Sequence, residues 1–277
     1  MKKYLVVLTL AVMVLSVSFV SGVNCAMSAE VQTIEVSNAR EFLEALGSDR
    51  IIEMDYTGDY NLSQLNRNAI SLAKGVSWSD VFDGAELVLN GIKNLTIRGG
   101  GPEGTRAEII IDPRYAFVMT FENCSDIVLE EIRAGHSKAG ECEGGVFRFT
   151  DSSRITINWT SMYGCGTEGL VLSNTSGVKV TDSSIVDCTY YIMTVTGGRN
   201  IAFEDCMFMD NKEYTLVNVS GTRDMSFKSC YFNDNQGKMF EIEGTTISVT
   251  DSSFNRNKNT PAIQDSVNVK FVNCEFN

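Results

Sequence analysis

Between Asp126 and the C-terminus no stretch has the 3.6-residue apolar spacing of an amphipathic helix, so helical architecture is excluded for this part of the chain. No Pro/Gly/Ser-rich linker interrupts the sequence, and one domain is expected after the leader. Basic residues are scarce: 23 Lys and Arg stand against 35 Asp and Glu, a net charge of −12 over 277 residues. Such a surface opposes nucleic acid and anionic lipid as partners. Histidine occurs once, so any imidazole chemistry rests on His136 alone. The spacing of His136, Cys142, Cys165 and Cys188 matches no short metal-ligand motif, although the four residues are near enough in the repeat to form a set.

The leader is the first thing present. Lys2 and Lys3 precede an uncharged run from Tyr4 to Val20, and small residues follow around Ala26 to Ala29. Residues 1–29 are expected to be a secretory signal peptide cleaved between Ala26 and Glu30. Without Lys2 and Lys3, 21 basic residues face 35 acids and the mature charge is −14. One alternative is a retained anchor. Another is a lipoprotein through Cys25, against which Asn24 fits poorly at the position before a lipidated cysteine.

Seven segments then repeat one pattern. Each opens on two apolar residues one apart: Ile127/Leu129, Ile155/Ile157, Val178/Val180, Ile201/Phe203, Met225/Phe227, Ile247/Val249 and Val269/Phe271. The steps between first members are 28, 23, 23, 24, 22 and 22 residues. A period near 22–24 with alternating apolar residues is the mark of a stacked solenoid. In register follow a small residue (Thr160, Ser183, Cys206, Cys230, Ser252, Cys274) and then a large apolar one (Met162, Ile185, Phe208, Phe232, Phe254, Phe276). Next comes a turn position holding Cys165, Cys188, Asn211, Asn235 and Asn257. Each coil therefore carries three short strands between Asp/Asn/Gly/Ser turns. Coils spaced by about 4.8 Å would stack Asn211, Asn235 and Asn257 into an amide ladder. The expected fold is all-β, a right-handed parallel β-helix.

The ends fit this pattern. Asn38 to Leu46 has Phe42, Leu43 and Leu46 at helical spacing with Gly47 as a stop, which predicts a short capping helix within an N-terminal cap at about 30–60. The β-helix domain is expected over 30–277. Nothing comparable follows Cys274, so the C-terminal edge is expected to be open or covered by a partner, including a second copy. Cys206, Cys230 and Cys274 read as core filling. Cys142, Cys165 and Cys188 lie near one turn on successive coils, and a Cys142–Cys165 bridge is the pairing considered.

Asp112-Pro113-Arg114-Tyr115, Gly135-His136, Cys142-Glu143-Gly144-Gly145-Val146, Tyr163-Gly164-Cys165-Gly166 and Cys188-Thr189-Tyr190 resemble bacterial exported right-handed parallel β-helix repeat proteins of the pectin lyase-like superfamily. The resemblance covers most of the mature chain. It implies the fold and export, and no particular activity.

Three constellations are candidates for function. The first coil is five residues longer than the next (28 against 23), and the insertion holds His136, Lys138, Glu141 and Glu143, a set suited to proton transfer. Asp187, Asp210 and Asp234 each precede a ladder residue, so they should stack as a carboxylate column able to bind calcium. Tyr163, Tyr190, Tyr191 and Tyr214 lie on neighbouring coils, where outward rings would stack on sugar faces. The expectation is an exported β-helix binding an envelope or extracellular polysaccharide, without need of catalysis. The alternatives are a polysaccharide lyase or glycoside hydrolase using the His136 loop, and a structural or adhesive surface protein.

Overall fold

The computed structural model describes residues 31–277, except 139–142, 165 and 259. Residues 31–277 form one compact unit. The leader, the Cys25 lipidation site, Glu141 and the Cys142–Cys165 bridge lie outside the described residues.

The chain winds into coils with three strand-bearing faces. On the first face, Ser125–Glu130, Ser153–Asn158, Ser176–Thr181, Arg199–Glu204 and Arg223–Lys228 pair in parallel, each on the strand one coil away. The second face stacks the shorter Ile132–His136, Ser161–Tyr163, Ser184–Val186, Met207–Met209 and Tyr231–Asn233. The third stacks Met119–Glu122, Phe147–Thr150, Glu168–Ser173, Tyr191–Thr196, Thr215–Ser220 and Lys238–Glu243. Parallel pairing at every step and the period-2 alternation have one cause: each strand sends alternate side chains into a shared interior.

That interior is built from ladders. Phe203 stacks on Phe227 at 4.9 Å between ring centroids, and Phe232 stacks on Phe254 at 4.6 Å with planes 6° apart. Phe208, Phe232 and Phe254 are all buried, as the sequence register requires. The amide ladder also forms. Asn211 donates its Nδ2 to Asn235 Oδ1 at 2.9 Å, and Asn235 donates to Asn257 Oδ1 at 3.0 Å. The same oxygens accept backbone N–H groups, and the amides also donate to the carbonyls of Phe208 and Phe232, so these buried polar groups are all paired. Along the neighbouring corner Ser183 Oγ accepts from Thr160 N and Ser252 Oγ from Cys230 N, both at 3.0 Å. Cys206 and Cys230 fill the same column as free thiols. The Cys230 thiol beside it and its own burial push the Cys206 thiol up, which keeps it protonated.

Left-handed corners set the turn chemistry. Asn123, Asp151 and Asn174 share one corner, and Asp182, Asp205 and Asp251 share another, all with φ near +50°. Short Asn and Asp side chains tolerate this backbone better than other non-glycine residues, which is why the turns are rich in them.

The N-terminal coils depart from this regularity. β1 (Gln32–Asn38) leads into α1 (Ala39–Ala45), capped by Asn38 Oδ1 accepting from Glu41 N at 3.0 Å. Phe42 and Leu43 are fully buried. β2 (Arg50–Asn61) runs over twelve residues, pairing with β1 and then crossing to the second face. β3 (Val76–Val81) and β4 (Gly84–Asn90) make an antiparallel hairpin at the start of the third face, a feature the strand pattern did not predict. At the other end, a five-residue helix, α2 (Thr260–Gln264), packs Ile263 against the Lys238–Glu243 strand, where the repeat predicts another third-face strand.

Candidate functional site

The loops joining the second face to the third form a ledge along the side of the solenoid. Glu143 N and Gly144 N donate to Arg114 O, and Thr167 N donates to Gly144 O. Tyr190 N then donates to Gly166 O, Glu213 N to Thr189 O and Lys238 N to Tyr214 O. Backbone bonds thus carry the ledge from Arg114 to Lys238. Rigid turns on a rigid stack are where binding groups are held in fixed positions.

Two of the predicted tyrosines come together on this ledge. The rings of Tyr190 and Tyr214 lie 5.1 Å apart, and Tyr214 is 63% exposed. Tyr214 has φ +56°, a left-handed backbone that is unusual for an aromatic residue and turns the ring out of the loop. Tyr191, half-buried, begins the adjoining strand of the third face. Tyr214 also lines a cleft of about 1040 Å³ between the Lys238–Glu243 strand and the segment carrying α2. Lys212, Lys238 and Lys258 stand on its rim, with Met239 and Phe240 behind them.

Tyr163 belongs elsewhere. It is on the second face, with its ring across Gly135, where an added Cβ would stand 2.7 Å from the ring carbons. Its hydroxyl donates to Glu108 Oε1 at 2.8 Å, and the Arg133 guanidinium lies 4.9 Å from its ring. Burial pushes the Tyr163 phenol far above its ordinary range. It is a structural clasp, and the predicted four-tyrosine surface is corrected to the Tyr190–Tyr214 pair with Tyr191 beside it.

The His136 constellation does not assemble as predicted among the described residues. His136 ends its strand with 3% exposure, and its Nε2 lies 3.0 Å from Ala116 O. Nδ1 is buried without a partner. Burial pulls the imidazole below its usual value, so at neutral pH it is uncharged and donates from Nε2 to the carbonyl. Lys138 and Glu143 are exposed, whereas this ring is buried. His136 therefore ties the Ala116 loop to the core and is out of reach of a bound polymer. Arg148 is also engaged: its guanidinium lies 3.8 Å from the centroid of the Phe117 ring and 3.6 Å from the buried Glu86 carboxylate.

The acidic column is in register, and its backbone conformation accounts for it. Asp187, Asp210 and Asp234 donate their N–H groups to Met209, Asn233 and Asn255, the same bond in successive coils. Gly164 and Arg256 continue the column, and all five residues have φ between +53° and +60°. The left-handed corner therefore selects Asp here, as it does elsewhere in the stack. Arg256 grips Asp234 with two bonds, at 2.7 and 2.5 Å, and holds its carboxyl below the usual range. No group of three or more His, Cys, Asp or Glu side chains among the described residues could hold a metal ion. The column is thus accounted for as turn chemistry closed by an ion pair. The four-residue metal set fails, because Cys188 is disulfide-bonded and has no thiolate to offer.

Sequence reasoning passed over Phe82 and Trp78. Phe82 is 88% exposed at the tip of the β3–β4 hairpin, and its ring lies 5.1 Å from that of Tyr115. The signal was an isolated aromatic residue between Val81 and the turn pair Asp83-Gly84.

Among solved structures the chain is similar to an alginate lyase from Paenibacillus sp. str. FPU-7, with TM-score 0.45 and 10% identity over 88% of this chain and 99% of that one. It is similar also to a pectate lyase from Paenibacillus sp. 0602, with TM-score 0.39 and 10% identity over 82% and 60%. A surface adhesin of Streptococcus pneumoniae matches at TM-score 0.24 and 10% identity over 82% of each chain. No curated protein sequence matches. The model of the right-handed beta helix region matches residues 136–276, just over half of the chain and all of its regular coils. The chain belongs to the right-handed β-helix family.

Proposed function

We propose that this protein is exported and binds a polysaccharide along the ledge, through Tyr190 and Tyr214 at the mouth of the α2 cleft. The observation that carries this is the Tyr190–Tyr214 ring pair, held by backbone bonds and left 63% exposed at Tyr214. An aromatic ring of this kind offers a flat apolar surface to the C–H face of a sugar while its hydroxyl stays wet. The neighbouring Glu213, Gln236 and Lys238 supply donors and acceptors for sugar hydroxyls. Export is supported by the leader in the sequence and by the disulfide at Cys188, since such bonds persist in oxidising compartments. Binding without turnover is favoured by the burial of His136, which removes the one imidazole from a polymer's reach.

The test is affinity electrophoresis of the mature protein through gels containing single polysaccharides. At least one neutral or acidic polymer should retard it, and Tyr214→Ala should weaken that binding about tenfold, or 1.4 kcal/mol. Equal retardation of the variant would refute the assignment. New reducing ends or unsaturated products on incubation would replace the binding reading with the enzymatic one.

A further inference from the structure

The third face opens with an antiparallel element, and that element builds a second surface. Asp83, at the turn between β3 and β4, accepts from Arg114 N at 2.6 Å and from Tyr115 N at 3.2 Å. Gly84 lets the turn close on the next loop, because an added Cβ would stand 2.5 Å from Pro113 Cγ. These contacts fix Phe82 and Tyr115 as a tilted pair, 55° between planes, with Phe82 in water. Large apolar side chains held outward against the hydrophobic effect mark surfaces used for contact.

The two segments that carry these rings also bound a cleft of about 300 Å³, the lower end of the range for small-molecule sites. Trp78 lines it, with the Arg67 guanidinium 5.9 Å from its ring. Ser63 Oγ accepts from Asp112 N at 2.8 Å, which leaves its hydroxyl proton free to donate. Asp112 accepts from Asn61 Nδ2 through one oxygen and retains the other. An aromatic wall, a hydroxyl, a guanidinium and a carboxylate converge on one small space. Each acid nearby has a partner: Asp80 is paired with Arg67, Asp83 holds two amides and Asp112 holds Asn61. Arg67 is offset by Asp80, while Asp83 and Asp112 are bound only by neutral amides, so the cleft keeps a net negative charge that opposes an anionic ligand such as a uronate.

We infer that this cleft, with the Phe82–Tyr115 platform beside it, is a second binding site that takes one uncharged pyranose unit. It stands independently of the Tyr190–Tyr214 assignment, and either can fail alone.

The chain has two tryptophans, so Trp159→Phe leaves Trp78 as the sole indole reporter. The mature W159F protein is titrated with the methyl glycosides of glucose, galactose and mannose and with their neutral oligosaccharides. A saturable change in Trp78 emission is expected for at least one of them. Phe82→Ala and Arg67→Ala, each added to W159F, should weaken it at least tenfold, whereas Tyr214→Ala should not. Far-UV spectra confirm that each variant is folded. The inference is overturned if no neutral saccharide changes the emission, if only a uronate does, or if Phe82→Ala and Arg67→Ala both bind as W159F does.

Discussion

The coils after Ser153 and those before it obey different rules. From Ser153 to Asn255 residues answer to the coil above and below: phenylalanine on phenylalanine, amide on amide, and left-handed residues, mostly Asp, Asn or Gly, at the corners. Before Ser153 the coils carry a twelve-residue strand, a hairpin and the long segment after His136. The regular part exposes Trp159, Met207, Tyr214 and Tyr231, and the irregular part Val31, Tyr56, Tyr115 and Phe82, the last at 88%. Repetition stabilises because every contact is local and made many times. Departure from it places the most exposed ring, Phe82, at the surface, whereas the regular stack holds Tyr190 and Tyr214 on backbone-bonded turns.

That contrast breaks most visibly under core truncation. Phe232→Ala removes a ring stacked on both Phe208 and Phe254, and should cost about 3–5 kcal/mol in denaturant unfolding. Phe82→Ala, in the irregular part, should change stability by no more than about 0.5 kcal/mol. Comparable losses for the two would erase the distinction.

Asn235→Ala cuts the ladder at its centre. It strands the Asn211 backbone N–H, takes one of the two acceptors from the Asn211 amide, and leaves Asn257 Oδ1 and the Phe208 carbonyl short of a donor. The expected cost is on the order of 1–3 kcal/mol. Asn235→Asp should be at least as damaging, since it keeps the acceptor but buries a carboxylate against Asn257 Oδ1 and the Phe208 carbonyl.

The His136 tie should show as pH dependence. Its folded pKa lies below the ordinary 6.5 because burial disfavours the charged ring. As pH falls through 6.5, the unfolded chain takes up a proton that the folded chain refuses, so stability falls with it. Thermal melts from pH 7.5 to 5 should show this loss, and His136→Leu should flatten it. An unchanged slope in the variant would place the titration elsewhere.

The smallest effect is predicted for the acidic column. Millimolar calcium should raise the melting temperature no more than matched ionic strength, and Asp210→Asn should behave as wild type. A calcium increment lost in Asp210→Asn would restore a metal role to the column.

What was legible in the sequence follows the same division. Period and alternation were enough to place Phe208, Phe232 and the Asn211–Asn257 ladder, because stacking makes register a one-dimensional problem. The column of Asp187, Asp210 and Asp234 was found by the same logic, but its cause was not, since spacing does not reveal backbone conformation. Tyr163 was grouped with Tyr190 because sequence proximity does not say which face a ring covers. The insertion marks His136 as a candidate for proton transfer, and only its parity in the strand, with Ile132 and Ala134, shows that the ring turns inward. α2 escaped notice because five residues are too short for a period to declare itself. The β3–β4 hairpin answers to no repeat at all.

The central claim is that the Tyr190–Tyr214 ledge on the regular stack contacts a glycan. Its most direct test is isothermal titration of the mature protein with oligosaccharides from whichever polymer retards it in gels, for wild type and for the Tyr190→Ala/Tyr214→Ala double variant. Measurable binding by wild type and its loss in a double variant of unchanged melting temperature is the predicted result. Binding of equal strength in both proteins would contradict the claim.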